Sequence, residues 1–309
     1  MSVSRYPIDD EAAWLERRKG YVTASAVGAL FGCHPYTSAL RLYVEKSGCV
    51  DLPAPQSAVL RRGRLLESSV AAAVAEQRPE WRLEKCFDFY ADDAVKVGCS
   101  PDYLIHGDAR GLGVLQAKTA APSVFAREWT EADPPFWITL QCLTEIMLTD
   151  AAFGVVAALV VDPFNLVCPL YEVPRHAPSE TRIVEAVAAF WRDMADGKTP
   201  GPDYGQDREI IAMLAPKETP SKAIDLSGDN EIIAGLRDRA ELKAQIKEYA
   251  ARCEAIEAAI MHKMGTADHI VGVPDFRVTW RTEHRKAYTV QAKDNRVLRI
   301  TDKRGADAA

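Results

Sequence analysis

The longest apolar run of the chain, "AAFGVVAALVV" at 151–161, sets the first limit on its fold. A membrane-spanning helix needs roughly 20 such residues, and this run supplies about half of that. It therefore predicts a buried core strand. No other run comes closer, so membrane insertion is not expected. The first twenty residues, "MSVSRYPIDDEAAWLERRKG", hold no apolar signal core, so export is not expected either.

Helical and extended segments read off on both sides of this strand. "TASAVGALFGCHP" opens with Thr23 or Ser25 as a plausible cap and ends at Gly32, and a second helix runs from Ala39 to about Lys46, closed by Gly48. "AVLRRGRLLESSVAAAVAEQ" (58–77) is alanine- and leucine-rich with apolar residues at helical spacing. Strands are expected near 82–90, 94–99, 112–118 and 166–173. Helices are expected over 133–150, beginning after Pro134-Pro135, and over 179–198. The composition shifts after "GKTPGPDYG" (197–205). A long charged helix at 229–264 then carries Leu242, Ile246, Tyr249, Cys253, Ile256 and Ile260 in a 4-3-4-3-4 seam suited to a partner helix or a groove of the main body. "FRVTWRTE" and "RKAYTV" read as a strand pair. The expected organisation is an α/β core over 1–205 with a central mixed sheet flanked by helices, a linker and helical arm over 206–264, and a small β tail over 265–309.

Charge and cysteine usage narrow the function classes. The net charge of −6 argues mildly against a general nucleic-acid binder, because such affinity comes from neutralising phosphates. Basic clusters nevertheless stand at "ERRKG" (16–20) and "LRRGRLLE" (60–67), as a protein that holds DNA in one groove requires. The seven cysteines are scattered, odd in number and free of C-x-x-C pairs, which favours free thiols in a reducing compartment. Only Cys253 follows Cys168, too few late cysteines for an iron–sulfur cluster that needs four thiolates.

The stretch with chemical content is "CSPDYLIHGDARGLGVLQAKT" (99–119). It reads as a strand ending at Asp102 and a return strand reaching Lys118. Hydrolysis of a phosphodiester near neutral pH needs a hard cation on oxygen ligands, a water to acidify, and stabilisation of charge on phosphorus. An aspartate, an acid fourteen residues on, the carbonyl of the next residue and then a lysine supply these from two adjacent strands. Here those positions are Asp102, Gln116, Ala117 and Lys118, so the second acid is an amide. Taken alone, the same residues also describe a hairpin with solvated charged ends.

Five pieces in consistent order resemble the lambda-phage-type exonucleases (YqaJ-like viral recombinases) of the PD-(D/E)xK nuclease superfamily. They are "AWLERRKGYVTASAVGALFG", "HPYTSALRLYVEKSG", "RRGRLLESSV", "CSPDYLI…GLGVLQAKT" and "FWITLQCLTEIMLT". The resemblance implies that Asp102 is the metal-binding aspartate and Lys118 the catalytic lysine. It implies that Glu67 helps hold the metal-bound water or a second cation, and that Gln141 contacts the same cluster from the helix behind. Arg18, Ser25 and Ser100 match a pocket for a 5′-phosphate, with Arg17 as the rival of Arg18, while Arg61, Arg62 and Arg64 are candidates for DNA contact. Trp14 also fits the pattern and is expected to be core packing. The bland alternatives are a solvated Glu67, a Gln141 that satisfies a buried carbonyl from an amphipathic helix, and a Ser25 that merely caps a helix.

The likeness further implies Mg²⁺, with Mn²⁺ as a substitute, and digestion of the 5′-terminated strand from linear duplex ends. It also implies a ring-shaped homotrimer, a phage single-strand annealing protein as partner, and residence in a bacterial cytoplasm. Gln116 keeps the shape of a glutamate and removes its charge, so turnover is expected to fall while fold and DNA binding survive. It is either a natural weakening of the site or an exchange that keeps a substrate intact, and the complete neighbourhood favours the exchange. Two other classes stay open: a DNA-end-binding protein without useful catalysis, and an assembly protein with a vestigial nuclease core that uses the 242–260 seam.

Overall fold

The structure is a computed structural model that describes residues 2–50, 52, 58–162, 164–273, 275–284 and 298–300. The chain divides into two compact units, 1–214 and 215–309.

The first unit holds two mixed sheets, where one central sheet was expected. Four strands form the smaller sheet: β1 (Val3–Pro7), β2 (Val22–Thr23), β4 (Asp88–Asp92) and β5 (Val97–Cys99), in the order β1-β4-β5-β2. β1 escaped the sequence reading, being five residues of edge strand ending in a proline. The larger sheet contains β3 (Arg82–Lys85), β6 (Tyr103–His106), β7 (Gly113–Ala120), β8 (Phe153–Val161), β9 (Leu166–Val167) and β10 (Leu170–Pro174). Its order is β10-β8-β7-β6-β3, with β9 paired to β8; β7 and β8 run parallel and the other pairs antiparallel. Single strands expected at 82–90 and 166–173 are each broken in two: β3 and β4 belong to different sheets, while β9 and β10 both pair with β8. The 151–161 run is the core strand β8, buried at every position from Phe153 to Val160.

Helices cover the larger sheet on both sides. α4 (Ala58–Gln77) presents Val70 and Val74 to a cluster with Leu115, Val155, Ala157 and Leu159. The opposite face carries α6 (Phe136–Thr149), whose Cys142 and Ile146 pack with Val114, Val156 and Ala158. Strand alternation thus turns Leu115 toward α4 and Val114, Gln116 and Lys118 toward α6. α6 follows Pro134-Pro135 as expected. It is not amphipathic, however: Ile138 and every residue from Leu140 to Leu148 are buried. Its seat on β8 depends on Gly154, where a Cβ would come within 2.4 Å of Cys142 Sγ and 2.9 Å of Ile146 Cδ1.

The remaining elements of this unit are α1 (Glu11–Lys19), a 3₁₀ turn at Ala24–Ala26, α2 (Val27–Leu30), α3 (Ala39–Ser47), α5 (Pro122–Glu128), α7 (Ala177–Ala195) and α8 (Arg208–Leu214). The helix expected from Thr23 is only the 3₁₀ turn and the single turn of α2. α3 ends as expected at Gly48, in the left-handed region with φ 63°. Ile210 of α8 packs with Leu40 and Val44 of α3.

In the second unit α9 (Asn230–Met264) is capped by Asp229, whose carboxylate accepts from Ile232 N at 3.0 Å. Its seam residues are exposed apart from the half-buried Ile260; Leu242, Ile246, Tyr249 and Ile256 are 57–61% accessible. "FRVTWRTE" is not a strand among the described residues. Its bonds run backward: Ile270 N donates to Val278 O, Trp280 N donates to Asp268 O, and His269 bridges Thr279. "RKAYTV" lies outside the described residues. Among the described residues no helix is long and apolar enough to cross a membrane.

Candidate active site

Asp102 stands in the gap between β5 and β6, at the start of a strand and not at the end of one as the sequence suggested. Its backbone oxygen accepts from Cys86 N at 3.1 Å, and its Oδ2 accepts from Ala117 N at 2.7 Å and from Gln116 Nε2 at 2.6 Å. The β6–β7 register, Tyr103 opposite Leu115, brings residues 102 and 116 together. Burial dominates over these bonds and over the attraction of Lys118, and pushes the Asp102 carboxyl up to about 6.

From Asp102 a hydrogen-bonded chain crosses to α6. Gln116 Oε1 accepts from Gln141 Nε2 at 2.7 Å, which also donates to Glu145 Oε1 at 3.0 Å. Lys118 Nζ donates to Gln141 Oε1 at 3.0 Å and lies 5.5 Å from the centre of the Trp137 ring. Desolvation lowers the Lys118 pKa, opposed by the charges of Asp102 and then Glu145. Gln141 therefore bonds three side chains, where the sequence also allowed a single buried carbonyl.

Glu67 on α4 pairs with Lys85 at 3.0 Å, and both face the same cavity as Asp102, Gln141 and Glu145. The cavity measures about 640 Å³. Its other side is lined by Arg18, Ser25, Ser100 and Trp14. Trp14 is not core: α1 has no buried residue, and Trp14 Nε1 donates to Ser100 Oγ at 3.1 Å while the Arg18 guanidinium lies 4.4 Å over its ring. Ser25 Oγ is 3.2 Å from Thr23 Oγ1 and bonds no backbone group as a helix cap. Arg18 has no carboxylate within ion-pairing distance among the described residues, and burial lowers its pKa against the more distant attraction of Glu45. Such a guanidinium is suited to an anion.

The two rival arginines separate. Arg17 lies 4.0 Å over the Tyr6 ring beside a different depression, away from Asp102. Arg64 reaches the cavity and meets Glu11 at 3.4 Å; Arg61 and Arg62 are exposed on α4 without lining it.

Sequence reasoning missed Lys85 and Glu145. Lys85 left no signal beyond being one of many charges. Glu145 had one, since it stands one turn past Gln141 on the same helix face. Glu145 is 1% exposed, and burial, then repulsion from Asp102, pushes it up to about 8.

A divalent cation is implied by the family likeness. Among the described residues no three His, Cys, Asp or Glu side chains gather to hold one. The nearby donors are nevertheless hard oxygens: the carboxylates of Asp102 and Glu145, the Ala117 carbonyl and the Gln116 amide oxygen. Glu145 Oε2 is buried without a hydrogen-bond partner. This set fits a divalent cation once the Gln116 amide turns its oxygen toward Asp102.

The polar cluster thus joins the β6–β7 edge of a helix-flanked mixed sheet to α6. Residues 13–152 match the model of the YqaJ-like viral recombinase domain. It is 24% identical over 278 residues to the protein YqaJ of Bacillus subtilis (strain 168), covering 87% of this chain and 82% of that one. Among solved structures, an alkaline exonuclease from Laribacter hongkongensis aligns with 18% identity and a TM-score of 0.48, over 60% of this chain and 93% of that one. A phage-related exonuclease from Haemophilus somnus 129PT aligns with 11% identity and a TM-score of 0.41, over 57% and 96%.

Proposed function

We propose that the chain is a nuclease: a divalent-cation-dependent 5′→3′ exonuclease acting on linear double-stranded DNA ends and leaving 3′ single-stranded overhangs for recombination. The observation that carries this reading is one cavity shared by Asp102 and Gln141, the partner of Lys118, on one side and by Arg18, Ser25 and Ser100 on the other.

In this reading the guanidinium of Arg18 and the hydroxyls of Ser25 and Ser100 take the 5′-phosphate and set the terminal nucleotide against Asp102. Asp102, the residue-116 side chain, the Ala117 carbonyl and Glu67 would hold Mg²⁺ or Mn²⁺, which would supply the positive charge that polarises a phosphate and acidifies water. Lys118 Nζ, fixed by Gln141 and kept by burial toward its neutral form, takes a proton from the attacking water. Water attacks phosphorus in line, the bond to the 3′ oxygen breaks, and a 5′-mononucleotide leaves. Gln116 turns a donor to Asp102 where a glutamate would turn an oxygen, which lowers turnover.

A homotrimeric ring around duplex DNA reconciles the basic clusters with the acidic whole. A phage single-strand annealing protein is the partner for the overhang, and the bacterial cytoplasm is the compartment. The domain reading accompanies this function, with the nuclease core in 1–205, the arm in 206–264 and the tail in 265–309.

The test is the Gln116→Glu protein with Mg²⁺ and 5′-phosphorylated linear duplex. Rapid mononucleotide release is the expected result. Binding of ends without release leaves an end-binding protein, and neither outcome leaves an assembly protein.

A further inference from the structure

The least compensated group in the cavity wall is Glu145, to which the mechanism above gives no task. It is enclosed on α6 at 1% exposure. Oε1 accepts from Gln141 Nε2 at 3.0 Å, whereas Oε2 has no hydrogen-bond partner. An ionised carboxylate in that state leaves a buried charge half satisfied, and a protonated one brings a hydroxyl that needs an acceptor. Either form leaves an oxygen in want of a ligand, and the side chain lines the same cavity as Asp102.

Its position relative to Gln116 gives this meaning. The Gln141 amide nitrogen donates both to Gln116 Oε1, at 2.7 Å, and to Glu145 Oε1. One side chain, Gln141, thus bridges the site of the missing charge on β7 and a carboxylate on α6. We propose that Glu145 supplies the second carboxylate of the cation site, standing in for the acid absent at position 116. A hard cation between Asp102 and Glu145 relieves their mutual repulsion and satisfies the idle oxygen. The seat of α6 on Gly154 holds that carboxylate in reach.

This inference rests on the cation-dependent reading above, so its test measures binding and not cleavage. Mn²⁺ is titrated calorimetrically into the full chain without DNA, as found and as Glu145→Gln, Gln116→Glu and the double variant. The expected result is Mn²⁺ binding by the unaltered chain, at least about ten-fold weaker in Glu145→Gln, and recovered in the double variant, which returns the charge to β7. Melting curves in chelator check folding; Glu145→Gln is expected to melt no lower than the unaltered chain, since it removes a buried ionisable group. Unchanged Mn²⁺ affinity in Glu145→Gln overturns the inference and leaves the nuclease reading standing. A loss not recovered in the double variant marks a structural effect and also overturns it. Binding by Gln116→Glu but not by the unaltered chain overturns it while sparing the cation-dependent core. If neither protein binds Mn²⁺, the cation-dependent reading falls and takes the inference with it.

Discussion

The two sides of the cavity are built on opposite principles. On the Asp102 side the polar groups bond one another: Asp102, Gln116, Gln141 and Lys118 form one continuous chain between β7 and α6. On the Arg18 side the hydroxyls and the guanidinium rest on Trp14 and Thr23, and among the described residues no carboxylate forms an ion pair with Arg18. The first side is organised before any ligand arrives; the second is organised for one. A buried network depends on each member, whereas a half-open anion pocket can lose one contact and keep its shape.

The sharpest way to break this contrast is to remove Lys118 from the restored site. In the Gln116→Glu protein, Lys118→Ala is expected to cut mononucleotide release by about 10²–10⁴-fold while end binding persists, measured by release assay and gel shift. Retained release would remove Lys118 from the chemistry. Next in size is the Arg18 side. Arg18→Ala should erase the preference for 5′-phosphate over 5′-hydroxyl ends, a loss of about 1.5–3 kcal/mol for one charge-assisted contact, with little change in melting temperature. Arg17→Ala should leave the preference intact; the reverse pattern exchanges their roles.

Support for the bonded side comes from α6, so Gly154→Ala should lower stability by about 1–3 kcal/mol in a denaturant titration, because Cys142 and Ile146 must shift. A stability equal to that of the unaltered chain would show that α6 is not tightly seated. A smaller effect is expected from pH. Glu145 and Asp102 have pKa values raised in the fold, to about 8 and about 6, so their protonated forms favour the folded state. That contribution is full below the usual carboxylate range and is lost as pH rises to about 8. In chelator the melting temperature should therefore fall between pH 5 and pH 8, and fall less in Glu145→Gln. Equal slopes would remove Glu145 as the titrating group. Smallest of all, Ile256→Ala on the exposed face of α9 should change the stability of the isolated chain by less than about 0.5 kcal/mol.

Helices announced themselves most clearly in the sequence. α4 spans the same residues, 58–77, that its alanine- and leucine-rich pattern marked, and α9 begins at its aspartate cap and ends before Gly265. Local propensity and capping suffice for such elements because their bonds close within the segment. Strand breaks were less legible. Nothing local in 82–90 tells that β3 joins one sheet and β4 another, and the partner of 276–283 proved to lie upstream.

The site divides in the same way. By itself the sequence determined which residue types stand at 67, 102, 116, 118 and 141, and the spacing between Asp102 and Lys118. Only the tertiary structure decided that Arg18 and not Arg17 faces the cavity, that Trp14 lines it, and that Glu145 is bridged to Gln116 by Gln141 with an oxygen to spare. The physical reason is that spacing along a strand or helix fixes only which face a side chain takes. Its neighbours and its solvent are settled where separate elements pack, and those set its charge.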